Sequence, residues 1–247
     1  GKLSETFNEM ADRLMEVDEV KTEFLSLASH QLRTPLGIMG WNLEMLKSGD
    51  FGELNNQMEH ALNDVIEKNN YLKEIVNDLL NVSRMEQGKI ANQSEKTNVY
   101  KLTKKTIKDW QSEAEKKNIE LIENLDESLT EVQIDSEKYE QVVDNLISNS
   151  IKYSGKDKKV WVNLEKRDEK LVIEVRDEGI GIPEKDLKQI TDRFFRASNA
   201  LETETRGTGL GLYIIEKYVK IMGGRFHIES VLNQGTKVLI ELPINTP

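Results

Sequence analysis

A narrow apolar stripe, broken only once, limits what the first ninety residues can fold into. Phe7, Met10, Leu14, Val17 and Phe24 occupy heptad a and d positions, with Lys21 interrupting the seam. The pattern continues through Leu27, Leu32, Leu36, Met39, Leu43 and Leu46, stops at Ser48-Gly49-Asp50-Phe51-Gly52, and resumes with Leu62, Val65, Leu72, Val76 and Leu79. It ends near Gly88. Apolar side chains three, four and seven apart share one helix face, and the glycine-rich break reads as a loop. A seam this narrow needs a partner helix. The expected structure is a long antiparallel helical hairpin. One hairpin cannot cover both of its seams, so two are expected to pair as a dimeric four-helix bundle.

The pattern then changes. Residues 88–97 are polar and read as a linker. Beyond them the sequence predicts helices near 98–117, 136–153, 184–190 and 209–222. It predicts strands near 118–124, 131–134, 159–166, 170–177, 225–231 and 236–242. Val160, Val162 and Leu164 alternate with polar residues, as do Leu171, Ile173 and Val175, which is the period of a half-buried strand. Residues 191–206 lack periodicity and read as an irregular stretch, suited to a mobile lid or a disordered loop. The fold class is therefore α followed by α/β, a helical hairpin and then a sandwich with helices on one sheet face.

Charge and composition narrow the function. The net charge is −10, of which −7 falls in positions 1–90, from 16 acidic and 9 basic residues. No basic stripe with interleaved aromatics is present, so nucleic acid is not an expected partner. Cysteine is absent, which excludes disulfides and suits a reducing compartment. Three scattered histidines make no zinc constellation, and His60 and His227 read as ordinary surface residues. No run approaches the ~20 apolar residues of a membrane helix. There is no signal peptide. The chain starts already in a helical pattern and reads as a piece of something longer.

Four segments can carry chemistry. In Phe24–Leu36, His30 lies at heptad position c, outside a seam formed by Ala28 and Gln31. A neutral imidazole has a lone pair and is a usable nucleophile. Thr34 follows on the same face, ~6 Å along the axis, and Pro35 should kink the helix there. In Asp144–Ser154, Asn145, Asn149 and Lys152 fall at i, i+4 and i+7, opposite Val143, Leu146, Ile147 and Ile151. Two amides and an ammonium suit phosphate oxygens and a hard cation; magnesium can take a single amide oxygen and complete its shell with waters and phosphates. Such a row is equally an ordinary solvated face. Asp177-Glu178-Gly179-Ile180-Gly181-Ile182-Pro183 ends a strand with a carboxylate able to accept from a base's exocyclic amine, and its glycines admit a flat ring. A plain strand-to-helix turn is the alternative. Gly207-Thr208-Gly209-Leu210-Gly211 opens a helix whose N–H groups favour phosphate. It matches neither the P-loop nor the Rossmann fingerprint.

Taken in order, these segments resemble the transmitter region of the two-component sensor histidine kinases, over residues 20–243. His30-Gln31-Leu32-Arg33-Thr34-Pro35 resembles the phosphoacceptor box, Asn145–Tyr153 the asparagine box and Asp177–Gly181 the first glycine box. Arg193-Phe194-Phe195-Arg196 resembles the phenylalanine box and Gly207–Gly211 the second glycine box. Residues 1–20 resemble the end of a HAMP signalling helix, 21–90 a dimerisation and phosphotransfer domain, and 98–247 the catalytic ATP-binding domain. The resemblance implies that His30 takes the γ-phosphoryl group of ATP and passes it to an aspartate of a response-regulator receiver domain. Asn149 would ligate magnesium, with Asn145, Lys152 and Arg196 near the phosphates. Tyr153 would pack beside the nucleotide and Asp177 would read the adenine amine. Gly179 and Gly181 would shape the base pocket, and Gly207, Thr208, Gly209, Leu210 and Gly211 would close on the phosphates. Thr34 would position water for phosphatase action on the regulator.

The resemblance further implies a homodimer, an upstream sensor module, and a cytoplasmic portion of a membrane-anchored protein. One position departs from the pattern. The family often carries Glu or Asp after the phosphoacceptor, and here it is Gln31, whose amide orients the ring but does not take its proton. Two other readings stand beside the kinase. One is a non-catalytic dimeric scaffold that binds nucleotide. The other is an ATPase of the gyrase and heat-shock chaperone group.

Overall fold

The computed structural model describes residues 20, 27–203 and 207–244. The heptad stretch from Phe7 to Phe24 lies outside the described residues, apart from Val20, which is helical. The chain divides into two compact units, 1–90 and 91–247.

The first unit is a helical hairpin. Helix α1 covers 27–48 and runs through Pro35 without interruption; helix α2 is Asn56–Glu86. Gly49 and Gly52 take φ of +85° and +115° in the turn between them, the region glycine enters without steric cost. The Asn55 side chain caps α2 by accepting from Met58 N at 2.9 Å. At the far end, Lys89 N bonds Arg84 O and Gly88 N bonds Met85 O, both at 3.0 Å, with Gly88 at φ +63°. This is a Schellman stop.

The seam between the helices differs from the expected register. Gln31 is exposed, and Ser29, Leu36 and Gly40 are the buried residues of α1. On α2 the buried residues are Asn69, Val76, Leu80, Val82 and Ser83, with Asn69 and Lys73 close to Gly40. Among the described residues, Leu36, Val76 and Leu80 make an apolar cluster across the seam. The layers on either side are small or polar, so a heptad read from large apolar residues misplaced the stripe. His30 is exposed, next to buried Ser29. Leu27, Leu32, Met39, Leu46, Val65 and Leu72 remain exposed, an apolar surface that one hairpin does not cover.

The second unit is an α/β sandwich. Its main sheet has strands β2 (Glu120–Leu125), β4 (Lys159–Arg167), β5 (Lys170–Asp177), β6 (Arg225–Val231) and β7 (Gly235–Pro243), ordered β2-β4-β5-β7-β6. Only the β2–β4 pair is parallel. Register aligns Val162, Val175 and Val238 in one row and Leu164, Ile173 and Ile240 in the next, and all six are buried. Helices α3 (Val99–Lys116), α4 (Ser136–Tyr153) and α7 (Gly211–Ile221) pack against this sheet. The opposite face carries polar pairs: Arg176 over the Trp161 ring, Asn163 to Glu174, Lys170 to Glu241 and Lys237 to Glu229.

Two stretches depart from the expected secondary structure. Residues 95–97, read as linker, form β1 (Glu95–Thr97), which pairs antiparallel with β3 (Val132–Ile134). Glu-Lys-Thr has no apolar alternation, so nothing local announces the strand; a partner over thirty residues away makes it. The stretch 191–206, read as irregular, contains helix α6 (Ser198–Thr203). The expected 184–190 helix shortens to α5 (Glu184–Leu187). Asp186 accepts from Ser198 N and Oγ at 2.9 and 2.8 Å, so contacts across the stretch shape it where sequence period does not. Among the described residues, no helix is long and apolar enough to cross a membrane.

Candidate functional site

Helix α4 supplies the polar row. Asp135 caps it, accepting from Lys138 N at 3.1 Å. Val142, Val143, Leu146, Ile147 and Ile151 are buried on one side, while Asn145, Asn149 and Lys152 are half-buried on the other. The Asn145 amide donates to Gln141 O at 3.0 Å, which leaves its oxygen facing outward from the helix. A Cβ placed on Gly211, the first residue of α7, would lie 3.2 Å from Asn145 Oδ1 and 3.6 Å from Asn149 Nδ2. The start of α7 therefore sits directly over the two amides.

The glycines show how the other segments close in. A Cβ on Gly207 would approach Lys152 Nζ to 2.9 Å, the Tyr153 hydroxyl to 3.6 Å and Arg196 Nε to 3.7 Å. On Gly209, at φ +69°, it would meet the Phe194 and Phe195 backbone at 2.7 to 2.9 Å. Phe194 has φ +63°, an uncommon conformation for a bulky side chain, and it lies where Gly209 passes. Lys152 Nζ lies 5.4 Å from the Tyr153 ring centroid. Thr208 Oγ1 accepts from Leu210 N at 3.1 Å, and Leu210 is fully buried. The loop before α7 is thus anchored at Leu210 and lined by cationic and aromatic side chains.

Asp177, at the end of β5, is a buried acid. Its Oδ1 accepts from Gly179 N at 2.8 Å and from Thr236 N at 3.1 Å, and Oδ2 lies 3.4 Å from Ser150 Oγ. Burial pushes its carboxyl above the ordinary aspartate range, and the three donors hold it back in part. Gly179 packs where a Cβ would sit 2.6 Å from Tyr153 O, and Ile180 N donates to that same oxygen at 3.1 Å. Gly181, at φ +63°, lies against Val231 O, where a Cβ would come to 2.1 Å.

The structure therefore brings Asn145, Asn149, Lys152, Tyr153, Asp177, Gly179, Gly181, Arg196, Gly207, Thr208, Gly209, Leu210 and Gly211 together in one unit. His30, Gln31 and Thr34 lie in the other unit, all three exposed on α1. His227 sits on edge strand β6 beside Glu229, away from these residues. Sequence reasoning missed Ser150, Ser230, Gly235 and Thr236. The Asn-Gln-Gly-Thr turn at 233–236 signals a hairpin, but nothing in it says that the hairpin grips the end of β5.

Both units match known protein families. Residues 20–88 match the His Kinase A (phospho-acceptor) domain, and residues 134–246 match the family described as histidine kinase-, DNA gyrase B-, and HSP90-like ATPase. The chain is 34% identical over 229 residues to sensor histidine kinase WalK of Bacillus subtilis (strain 168), covering 92% of this chain. The chain belongs to the two-component histidine kinases. It is also 31% identical over 239 residues to the signal transduction histidine-protein kinase ArlS of Staphylococcus aureus (strain USA300), covering 95% of this chain. It spans 37% of the length of WalK and 51% of that of ArlS. Its fold resembles full-length ShkA crystallised with AMPPNP, with a TM-score of 0.73 at 24% identity, over 91% of this chain and 46% of that one.

Proposed function

We propose that this histidine kinase phosphorylates itself on His30 with ATP and passes the phosphoryl group to an aspartate of a response-regulator receiver domain. The observation that supports this best is the convergence on α4: two amides, Lys152, Tyr153 and the glycine loop meet at the start of an eleven-residue helix with no side-chain cap. A helix start with open N–H groups favours phosphate. Asp177 accepts from the adenine amine, with Gly179 and Gly181 giving the ring room. Lys152 and Arg196 neutralise phosphate charge, and positioning with charge neutralisation is most of what phosphoryl transfer requires. Asn149 would hold magnesium. A half-buried amide with no acidic cluster around it among the described residues fits an ion whose remaining ligands are phosphates and water. Bound there, the ion supplies charge compensation on the transferring group.

A ring nitrogen of His30 forms the new P–N bond, the bond to the ADP oxygen breaks, and the ring proton passes to water, since the Gln31 amide does not accept it. Thr34 positions a hydrolytic water in the reverse, phosphatase direction. The exposed apolar face of the hairpin is covered by a second copy, making the dimeric four-helix bundle. Residues 1–20 are the end of a HAMP helix from an upstream sensor, 21–90 the dimerisation and phosphotransfer domain, and 98–247 with β1 ahead of it the ATP-binding domain. The whole is the cytoplasmic portion of a membrane-anchored protein.

Incubation with γ-labelled ATP tests this. The expected result is acid-labile, base-stable label on the protein, lost in His30→Ala. Nucleotide binding without label would support the scaffold, and free phosphate without labelled protein the gyrase-like ATPase.

A further inference from the structure

Ser230, on β6, uses its whole hydrogen-bonding capacity on the walls of the Asp177 pocket. Its Oγ accepts from Ile182 N at 2.8 Å and donates to Gly235 O at 2.8 Å. The Thr236 hydroxyl lies 2.9 Å away. A hydroxyl has one proton and two lone pairs, so with the proton on Gly235 O, the Thr236 hydroxyl is the donor in the last contact. Ser230 thus joins two backbone segments. One is the glycine turn after β5, which ends at Ile182. The other is the β6–β7 turn, whose Asn233 N also reaches Ile180 O at 2.8 Å.

The gripped peptide carries the N–H of Thr236, which donates to Asp177 Oδ1. Gly235 is pressed so close that a Cβ would stand 1.9 Å from Asp177 O. With Gly179 N on the same oxygen, Oδ1 is filled from two sides and the carboxylate is locked in rotation. Oδ2 is the oxygen left to a ligand, with Ser150 Oγ near it at 3.4 Å.

We infer that Ser230 is a positioning residue for base selection: by holding the 235–236 peptide against Asp177 Oδ1, it aims Oδ2 at the exocyclic amine of adenine. This rests on the reading of Asp177 as the base-reading carboxylate. The hydroxyl never touches nucleotide, so its loss should weaken selectivity for the amine without weakening the rest of the binding. A structural role alone would weaken binding of every nucleotide alike.

The test is calorimetric binding of ADP and of purine riboside diphosphate, which lacks the exocyclic amine, to the full chain and its variants. Neither ligand can phosphorylate the protein. A hydrogen bond to a charged group corresponds to a preference on the order of tenfold to a hundredfold. The wild type is expected to prefer ADP by that factor. Ser230→Ala is expected to reduce the preference to about threefold or less while binding purine riboside diphosphate within about twofold of wild type. Ser230→Thr, which keeps a hydroxyl, is expected to retain the preference. Equal weakening toward both ligands, or an undiminished preference in Ser230→Ala, overturns the inference. Absence of preference in the wild type overturns the reading of Asp177 and the inference with it. Should Ser230→Ala not fold, Thr236→Val removes the hydroxyl that donates to Ser230 and keeps the peptide N–H. A reduced preference supports the inference and an unchanged one overturns it.

Discussion

Replacing Asp135 with alanine should destabilise the ATP-binding unit far more than loss of one helix cap. Three donors meet this buried carboxylate: Lys138 N at 3.1 Å, Gln93 N at 2.7 Å and the Lys138 ammonium. Burial alone would push its carboxyl up; the donors outweigh burial and hold it below the ordinary range. Loss of an N-cap costs about 1 kcal/mol. Loss of the Gln93 partner costs about another 1. The larger effect falls on Lys138, itself buried, because an ammonium left unpaired inside a fold costs about 3–5 kcal/mol. These overlap, and the expected total is about 4–6 kcal/mol, a large fraction of the 5–15 typical of a domain.

The assay is urea unfolding followed by tryptophan fluorescence in a Trp41→Phe background, so that only Trp110 and Trp161 of the second unit report. With a slope of roughly 2 kcal/mol/M, the midpoint should fall by about 2 M or more. Adding Lys138→Met removes the stranded charge and should restore more than half of the loss. The sign with pH follows from the depressed carboxyl. Its stabilisation is full above the unfolded value and is lost as pH falls through the lower folded value. A midpoint change under about 0.5 M for Asp135→Ala, or a double variant no more stable than the single, would refute the charge argument.

Other perturbations have defined outcomes. Asp177 is raised by burial, so acidification protonates it sooner than an ordinary aspartate; unliganded stability rises while preference for ADP over purine riboside diphosphate falls, and Asp177→Asn should abolish that pH dependence. Gly235→Ala, at φ +110° and against Asp177 O, should cost several kcal/mol in thermal unfolding and remove nucleotide binding; a variant that binds normally would show that the close approach is dispensable. Gln31→Glu should raise the initial autophosphorylation rate by placing a proton acceptor beside His30, and an unchanged or lower rate with intact nucleotide affinity would count against that role. Leu36→Ala should cost about 2–5 kcal/mol in hairpin unfolding, since Leu36 is one of three residues in the seam's apolar cluster.

The parts of the fold that were legible in the sequence share one property: their signal is local. The alternation of Val160, Val162 and Leu164 and the split faces of α4 state their own period, and the structure follows both. The parts that were not legible depend on distant partners. Glu95–Thr97 becomes a strand because Val132–Ile134 lies beside it. The seam of α1 passes through Gly40 because α2 brings Asn69 and Lys73 there, and small or polar residues leave no mark in an apolar period. The Asp177 lock joins residues 59 apart in sequence, through backbone groups that any residue type carries. The motif residues were picked out by spacing together with the resemblance to the histidine kinases; the residues that hold them still were not.

The clasp at Asp135 also sets how much chain is left unpinned after the end of α2. Lys89 N is pinned to Arg84 at the end of α2, and Gln93 N to Asp135. Only Ile90, Ala91 and Asn92 separate the two pins, a leash of about 14 Å at full stretch. Splicing in a few glycines would lengthen that leash without touching either pin, and cutting the chain at 98 would strip away both the Gln93 pin and strand β1.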